Sequence, residues 1–183
     1  AFSLGRAAAA VCDAPSPQVL VVRDTRVSGE MLEAALCAGI AAAGGQALLA
    51  GVLSTPAASI LVRRYGFDMG AVISASHNPY EDNGIKFFGR DGFKLPDALE
   101  ARMEELIFSG AIDAIRPTAA EIGKAVRIDD AIGRYNEYVK SSIPRGMDLT
   151  GLRVVVDSAN GAAYKIGPRI LLELGADVIS LYD

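Results

Sequence analysis

Short apolar runs recur along the chain, separated by longer segments that end in glycine, proline or serine. Residues 18–22, 46–53 and 69–73 are dominated by apolar and small side chains, a pattern typical of strands buried on both faces of a sheet. A further apolar run, 85–88, leads to a Gly-Arg-Asp-Gly turn, and residues 93–95 are expected to return as its hairpin partner. The strands are therefore short and follow one another at intervals that leave room for helices.

Cap and stop residues delimit those helices. Ser28 has the N-cap position of one helix, and Pro56 lies in the first turn of another, where its missing N–H costs nothing. Gly44 and Gly66 end these two helices. Residues 109–127 are mixed and give no prediction. The helices are predicted over 2–12, 28–43, 55–65, 96–108 and 129–142.

The strand–helix pattern restarts near Leu149. A strand over 152–156, a helix over 163–174 and a strand over 178–181 form one βαβ unit, which should cross over right-handed. Alternating elements throughout predict an α/β protein, with a three-layer α/β/α arrangement around a mixed sheet. We place the domain boundary between residues 147 and 148, so that 1–147 is one domain and 148–183 opens a second, incomplete one.

Composition narrows the class of protein. Apolar residues make up 51% of the 183 residues and charged ones 22%, as in an ordinary globular protein. The formal net charge of −4 argues against a general nucleic-acid-binding face. The Ala-rich stretch 34–50 is interrupted by glycines and Gln46, which argues against a membrane span. The chain begins without methionine and stops after a predicted strand, and we expect both ends to be cuts in a longer protein.

The two cysteines, Cys12 and Cys37, lie in Ala-rich helical segments without the spacing of metal ligands. We therefore expect two reduced thiols in the core of a cytoplasmic protein rather than a disulfide.

The segment 71–94 holds the only histidine, His77, directly after Ser76 and before Asn78-Pro79. Taken alone, this sequence is compatible with a capped turn. A strand that leads into a small, polar loop also suits a serine that acts as a nucleophile or carries a phosphate. A serine hydrolase is disfavoured because there is no G-x-S-x-G motif and no second histidine. One histidine and two scattered cysteines cannot supply a zinc site.

The sequence SASHNPYEDNGIKFF, residues 74–88, resembles the phosphoserine loop of the α-D-phosphohexomutases. The resemblance extends over the whole chain: RDTRVSG at 23–29, Thr55-Pro56, the DG and KLP pieces at 91–96, and VDSANGA at 156–162 all resemble segments of that family. By the resemblance, 1–147 is the family's first domain without its first strand, and 148–183 is the start of its second.

The resemblance implies a phosphoryl shuttle. A phosphorylated serine gives its phosphate to a sugar monophosphate, and the resulting sugar bisphosphate reorients and returns its other phosphate to the serine. The Asn83–Phe88 form of the loop is most like the bacterial branch that interconverts glucosamine 6-phosphate and glucosamine 1-phosphate, with glucosamine 1,6-bisphosphate as intermediate. That branch supplies amino sugars for the cell wall. The implied ligands are sugar phosphates, and the full-length protein is expected to be a homodimer.

The resemblance also assigns residues. Ser76 is the phosphorylated serine, His77 and Lys86 are the acid/base candidates, and Arg26 and Asn78 are placed in substrate or phosphate binding. Lys86 could instead serve as a charge partner for the phosphates, and His77 could instead orient the loop. Asn78 is expected to fix the loop backbone through an Asx turn. Tyr80 is expected to pack within the structure.

The implied cofactor is Mg²⁺, held by one oxygen of the Ser76 phosphate and by three aspartates of a D-x-D-x-D-R segment that this sequence lacks. We therefore expect the 183-residue chain to be inactive by itself. Two alternatives stay open. One is a mutase of the same family that acts on mannose or glucose phosphates, and the other is a non-catalytic protein that binds sugar phosphates.

Overall fold

The computed structural model describes residues 1–183. The first compact unit, Ala1–Ile128, contains a sheet of five strands. The strands lie in the order β4-β3-β1-β2-β5; four of them are mutually parallel, and β4 is antiparallel to β3. The mixed sheet that the sequence predicts is thereby confirmed. The strands are β1 (Gln18–Arg23), β2 (Gln46–Val52), β3 (Met69–Ile73), β4 (Ile85–Gly89) and β5 (Lys124–Arg127).

Helices cover both faces of this sheet. The side chains of β1 and β3 alternate, so that Val19 and Val21 join the main core cluster with Cys37 and Ile40, while Leu20 and Val22 face the other side. All four residues Val19–Val22 are fully buried, which explains why the run is continuously apolar. The main core cluster lies under α1, α2 and α4, and α3 packs on the opposite face. The helices of this unit are α1 (Phe2–Ala10), α2 (Gly29–Ala42), α3 (Thr55–Tyr65) and α4 (Asp97–Phe108).

Two glycines let α1 and α2 approach each other closely. A Cβ built on Gly39 would lie 2.1 Å from the carbonyl oxygen of Phe2, and one on Gly5 would lie 2.2 Å from the carbonyl oxygen of Leu36. Both neighbours are backbone atoms, which cannot rotate out of the way. The contact between the two helices therefore depends on the absence of side chains at these two positions.

The second compact unit, Asp129–Asp183, contains the predicted βαβ unit. Its two parallel strands are β6 (Arg153–Asp157) and β7 (Asp177–Leu181), joined through α6 (Ile166–Glu173), and α5 (Ala131–Ser141) precedes them. The units divide between Ile128 and Asp129, earlier than the boundary at 147/148 that we drew from the sequence. The physical reason is that α5 packs against α6, so it belongs to the second unit. An ion pair of 2.6 Å between Lys140 on α5 and Glu173 on α6 also joins these two helices.

Two local predictions need correction, and one strand was not predicted. Residues 93–95 form no strand, because only a single bridge joins Phe88 to Lys94. Strand β5 lies in the segment that gave no prediction; it is an exposed edge strand, so it lacks a buried apolar pattern. Ser28 does occupy the N-cap position of α2, but its side chain does not cap the helix.

None of the helices is both long and apolar enough to cross a bilayer.

Both cysteines are free thiols, and Cys37 is buried while Cys12 is partly buried. Burial and the nearby Asp68 carboxylate raise the pKa of the Cys12 thiol to about 11. Burial and the Glu33 carboxylate raise the pKa of Cys37 to about 12. Because only the thiolate is nucleophilic, both side chains should be unreactive near neutral pH.

Alkylation of the native full-length protein with iodoacetamide at pH 8 is expected to modify Cys12 and Cys37 at least ~100-fold more slowly than a free cysteine peptide. The raised pKa values lower the thiolate fraction, so the rate should increase about tenfold per pH unit as the pH rises toward 10. Peptide mass spectrometry with a denatured control measures both rates. Native labelling as fast as in denaturant would contradict this expectation.

Candidate active site

The candidate site lies at the carboxyl ends of two neighbouring parallel strands, β1 and β3. Such strand ends are where open α/β sheets usually bind ligands. The segment 24–28 follows β1, and the loop 74–84 follows β3. The backbone N–H of Asp24 donates to the carbonyl of Ile73 at 3.0 Å, which brings the two segments together, and Ser74 N–H donates to the carbonyl of Gly84 at 2.9 Å, which closes the base of the loop.

Ser76 is exposed and its backbone is left-handed, with φ of +59°. This conformation costs about 1–2 kcal/mol for a residue with a Cβ, so the surrounding contacts must maintain it. One of them is the bond from the Ser76 backbone N–H to the hydroxyl oxygen of Ser74 at 3.1 Å, and Ser74 itself is only 7% exposed. The loop therefore presents a serine to solvent from a defined backbone position.

His77 contacts the serine hydroxyl directly. The Nδ1 atom of the ring lies 3.0 Å from Ser76 Oγ. The hydroxyl donates to Nδ1 when that nitrogen is unprotonated and accepts from it when it carries a proton. The pair can therefore move a proton to or from the serine oxygen, which is the property required of an acid/base group at this position.

Arg26 reaches the loop from the other segment. Its guanidinium bonds carbonyl oxygens of the loop, including that of Ser76 at 3.0 Å and that of Asn78 at 2.9 Å. The structure thus brings Arg26 and Asn78 to the serine, as the resemblance implies. Their predicted role in binding phosphate remains a prediction.

The two asparagines of the loop make different contacts, and the expectation for Asn78 needs correction. The side-chain amide of Asn78 donates to the Asp82 carboxylate at 3.3 Å, so the predicted Asx turn at Asn78 is wrong. Asn83 makes the stronger local contacts: its Oδ1 accepts from Gly84 N–H at 2.8 Å, and its Nδ2 donates to Ser28 Oγ at 2.9 Å. Ser28 thus anchors the end of the loop to the start of α2 through its hydroxyl oxygen.

Lys86 and Tyr80 are both exposed. Lys86 lies on β4 directly opposite Val72, and it forms none of the ion pairs of the structure, so its ammonium group is available to a ligand. Its assignment as an acid/base group remains a prediction. Tyr80 is 76% exposed, so the packing role predicted for it is wrong.

Three residues of the site were not predicted from the sequence, namely Asp24, Ser28 and Ser74. Asp24 accepts from both the backbone N–H and Nε of Arg26, each at 3.0 Å. The signal was present in the RDTRVSG segment at 23–29, because an Asp two residues before an Arg can orient it. The pairing of this segment with the loop 74–84 could not be inferred, since it depends on the strand order.

The residues present do not form a metal site. No group of three or more histidine, cysteine, aspartate or glutamate side chains in residues 1–183 is placed to hold a metal ion. Phosphorylated Ser76 would supply one oxygen ligand and no others are gathered around it. Residues 1–183 therefore provide no cluster of carboxylates that fits Mg²⁺ at this serine.

Curated relatives match nearly the whole chain. It is 54% identical over 183 residues to a protein named phosphoglucosamine mutase from Geotalea uraniireducens, and 55% identical to one of the same name from Myxococcus xanthus. Each match covers 99% of this chain but only 40% of the relative. The chain therefore spans about two fifths of the length of these proteins.

A solved structure agrees with these matches. The crystal structure of a phosphoglucomutase/phosphomannomutase family protein from Burkholderia thailandensis is 28% identical, with a TM-score of 0.77 over 99% of this chain and 39% of that one. Residues 1–112 match the family described as phosphoglucomutase/phosphomannomutase, alpha/beta/alpha domain I. This match covers more than half of the chain and includes the Ser76 loop, so the chain belongs to the phosphoglucomutase/phosphomannomutase family.

Proposed function

We propose that the whole protein is a phosphoglucosamine mutase, which interconverts glucosamine 6-phosphate and glucosamine 1-phosphate through a phosphoserine at Ser76. The observation that carries the proposal is the exposed Ser76 with left-handed backbone, bonded to His77 at the carboxyl end of β3. The names of the relatives at 54–55% identity support the choice of sugar. We propose that this reaction takes place in the cytoplasm and supplies amino-sugar precursors of the cell wall. We also propose that the full-length protein is a homodimer.

The reaction needs two phosphoryl transfers at one serine. In the first, the Ser76 Oγ–P bond breaks while a bond forms between phosphorus and the free hydroxyl oxygen of the sugar monophosphate. The sugar hydroxyl loses its proton to a base, for which Lys86 is the proposed group, and Ser76 Oγ takes up a proton. His77 Nδ1, at 3.0 Å from Oγ, is placed to supply that proton.

The second transfer is the reverse with the sugar turned around. Glucosamine 1,6-bisphosphate, formed in the first step, presents its other phosphate to Ser76. His77 then accepts the proton of the attacking Oγ, and the sugar oxygen that loses phosphate is protonated. Mg²⁺ would neutralise charge on the transferred phosphate, and we propose it as cofactor of the whole protein, with ligands other than the phosphate supplied from outside this chain.

A second candidate within the same family is a mutase for mannose or glucose phosphates. It is favoured by the name of the family that matches 1–112 and by that of the Burkholderia structure. Both candidates use the same serine and the same shuttle, so they differ only in the sugar that the whole protein accepts.

The test uses the full-length protein and intact-mass spectrometry with phosphosite mapping. After incubation with glucosamine 1,6-bisphosphate, we expect one phosphoryl group on Ser76, which excess glucosamine 6-phosphate removes. Turnover with mannose or glucose phosphates at higher kcat/KM than with glucosamine phosphate would favour the second candidate. A Ser76 that stays unmodified with every bisphosphate would overturn both, and would leave a protein that binds sugar phosphates without turning them over.

A further inference from the structure

The guanidinium of Arg26 is largely withdrawn from solvent, and each of its N–H groups has an acceptor within the protein. The side chain is only 9% exposed. Nε donates to Asp24 Oδ2 at 3.0 Å. The two Nη atoms donate to four carbonyl oxygens of the loop, those of Ser76 (3.0 Å), Asn78 (2.9 Å), Pro79 and Asp82 (2.9 Å). A guanidinium has five N–H donors, so none is left for a phosphate.

Of the four carbonyls, that of Pro79 also accepts a backbone N–H, whereas those of Ser76, Asn78 and Asp82 accept none. The loop contains no helix or strand between 74 and 84, and its internal backbone bonds are few, such as Asn78 N–H to the Ala75 carbonyl at 3.2 Å and Asp82 N–H to the Pro79 carbonyl at 3.1 Å. Four carbonyl dipoles that converge on one point repel each other unless a cation or several donors fill it. Arg26 supplies both, because its planar fork offers donors in fixed directions as well as a positive charge.

A continuous chain of bonds links the sheet to the serine. The Asp24 backbone N–H extends the pairing of β1 with β3 through the Ile73 carbonyl, and the Asp24 carboxylate holds both Nε and the backbone N–H of Arg26. Arg26 then holds the carbonyl of Ser76, while Ser74 Oγ holds the N–H of the same residue. These two bonds fix the peptide groups on both sides of the Ser76 Cα, which is where the unfavourable left-handed conformation is located.

We infer that Arg26 is a positioning residue, which sets the Ser76 hydroxyl and its phosphate for in-line transfer by gathering the carbonyls of the loop, and is not itself a phosphate ligand. This inference rests on the proposed function, since it concerns the same serine. It revises the phosphate-binding role that the resemblance implies for Arg26. Lysine cannot replace it, because a single ammonium nitrogen carries three N–H groups that cannot span four carbonyls and Asp24.

The test compares Arg26→Lys and Arg26→Ala with the matched control Arg23→Ala in the full-length protein. Arg23 lies at the end of β1 with a side chain 17% exposed, but its ion partners are Glu30 and Glu33 of α2 rather than the loop. The measurements are kcat and KM for glucosamine 6-phosphate, the melting temperature, and hydrogen–deuterium exchange of the peptide that spans 74–84. Loss of one side chain's ion pairs lowers stability in the control as well, so the comparison separates stability from positioning.

Both Arg26 variants are expected to lower kcat by roughly 10²-fold, since a displacement of about 1 Å at a reacting group has an effect of this size. KM should stay within about twofold of wild type, because no substrate contact is lost. Exchange of the 74–84 amides should accelerate in both Arg26 variants and not in Arg23→Ala. Added methylguanidinium should restore part of the kcat of Arg26→Ala, as it can refill the space between the carbonyls, but not that of Arg26→Lys.

A raised KM with wild-type kcat and unchanged exchange would overturn the inference, since it would make Arg26 a phosphate ligand. Wild-type exchange in Arg26→Ala would overturn it as well. If the wild-type protein turns over no sugar phosphate and Ser76 accepts no phosphoryl group, the proposed function fails. Exchange of 74–84 that accelerates only in the Arg26 variants would then still support the part of the inference that concerns the loop.

Discussion

Replacement of Ser76 by alanine in the full-length protein is expected to lower kcat for the interconversion of glucosamine phosphates by about 10⁴-fold or more. The substitution removes the oxygen that accepts and returns the phosphoryl group in the proposed shuttle, and His77 has no other hydroxyl within hydrogen-bond distance to activate. The phosphoryl signal in the intact mass should disappear together with the activity. Steady-state rates and mass spectra of the same preparation measure both.

The matched control is Ser74→Ala, which removes a hydroxyl from the same loop and keeps the proposed nucleophile. Ser74 Oγ accepts the backbone N–H of Ser76, so we expect a loss of only about tenfold, from a less well ordered Ser76. Phosphate should still be found on Ser76 in this variant. Substantial turnover by Ser76→Ala, or phosphate on another residue of that variant, would place the shuttle elsewhere.

Gly39→Ala is expected to lower the free energy of unfolding of the first unit by about 2–3 kcal/mol, a typical cost of overpacking a tight contact. The new Cβ would lie 2.1 Å from the carbonyl oxygen of Phe2, so α1 must move away from α2. In an ordinary helix interior the same substitution would stabilise by up to ~1 kcal/mol, so the predicted sign is opposite to the intrinsic preference. Thermal or urea unfolding of the full-length protein measures the change.

Gly29→Ala, in the same helix, is the control. A Cβ there would lie 3.4 Å from Arg23 Cδ, 3.7 Å from the Asp24 carbonyl oxygen and 3.8 Å from Arg23 Cβ, all ordinary van der Waals distances. We expect a change within about 0.5 kcal/mol. Equal stabilities of Gly29→Ala and Gly39→Ala would show that α1 and α2 do not need their close approach.

The strands that are buried on both faces could be predicted from the sequence. Val19–Val22 form a continuous apolar run that is too short for a helix and lies between turn signals, which predicts a strand buried on both faces. The structure buries all four residues completely. The same argument fails for β5, whose four residues are all exposed. An edge strand is specified by its neighbour β2, and that neighbour is far away in sequence.

The site was predictable in part for the same reason. Ser76 and His77 could be found from the strand that leads into the loop and from the resemblance of the motif. The bonds from Arg26 to the loop join residues about fifty positions apart, and they follow from the placement of β1 beside β3. Local pattern contains no information on strand order, so the resemblance could place Arg26 near the serine but not say which atoms it would bond.

The left-handed backbone of Ser76 also limits which amino acid could serve as the proposed phosphate carrier at this position. Threonine offers the same hydroxyl chemistry, but its branched Cβ makes a φ near +59° a genuine steric outlier. Aspartate and asparagine tolerate that conformation better than most residues, yet neither has a hydroxyl. Serine is therefore the residue with an aliphatic hydroxyl that can adopt this backbone without the added strain of a branched Cβ, so main-chain geometry as well as reactivity restricts the proposed nucleophile.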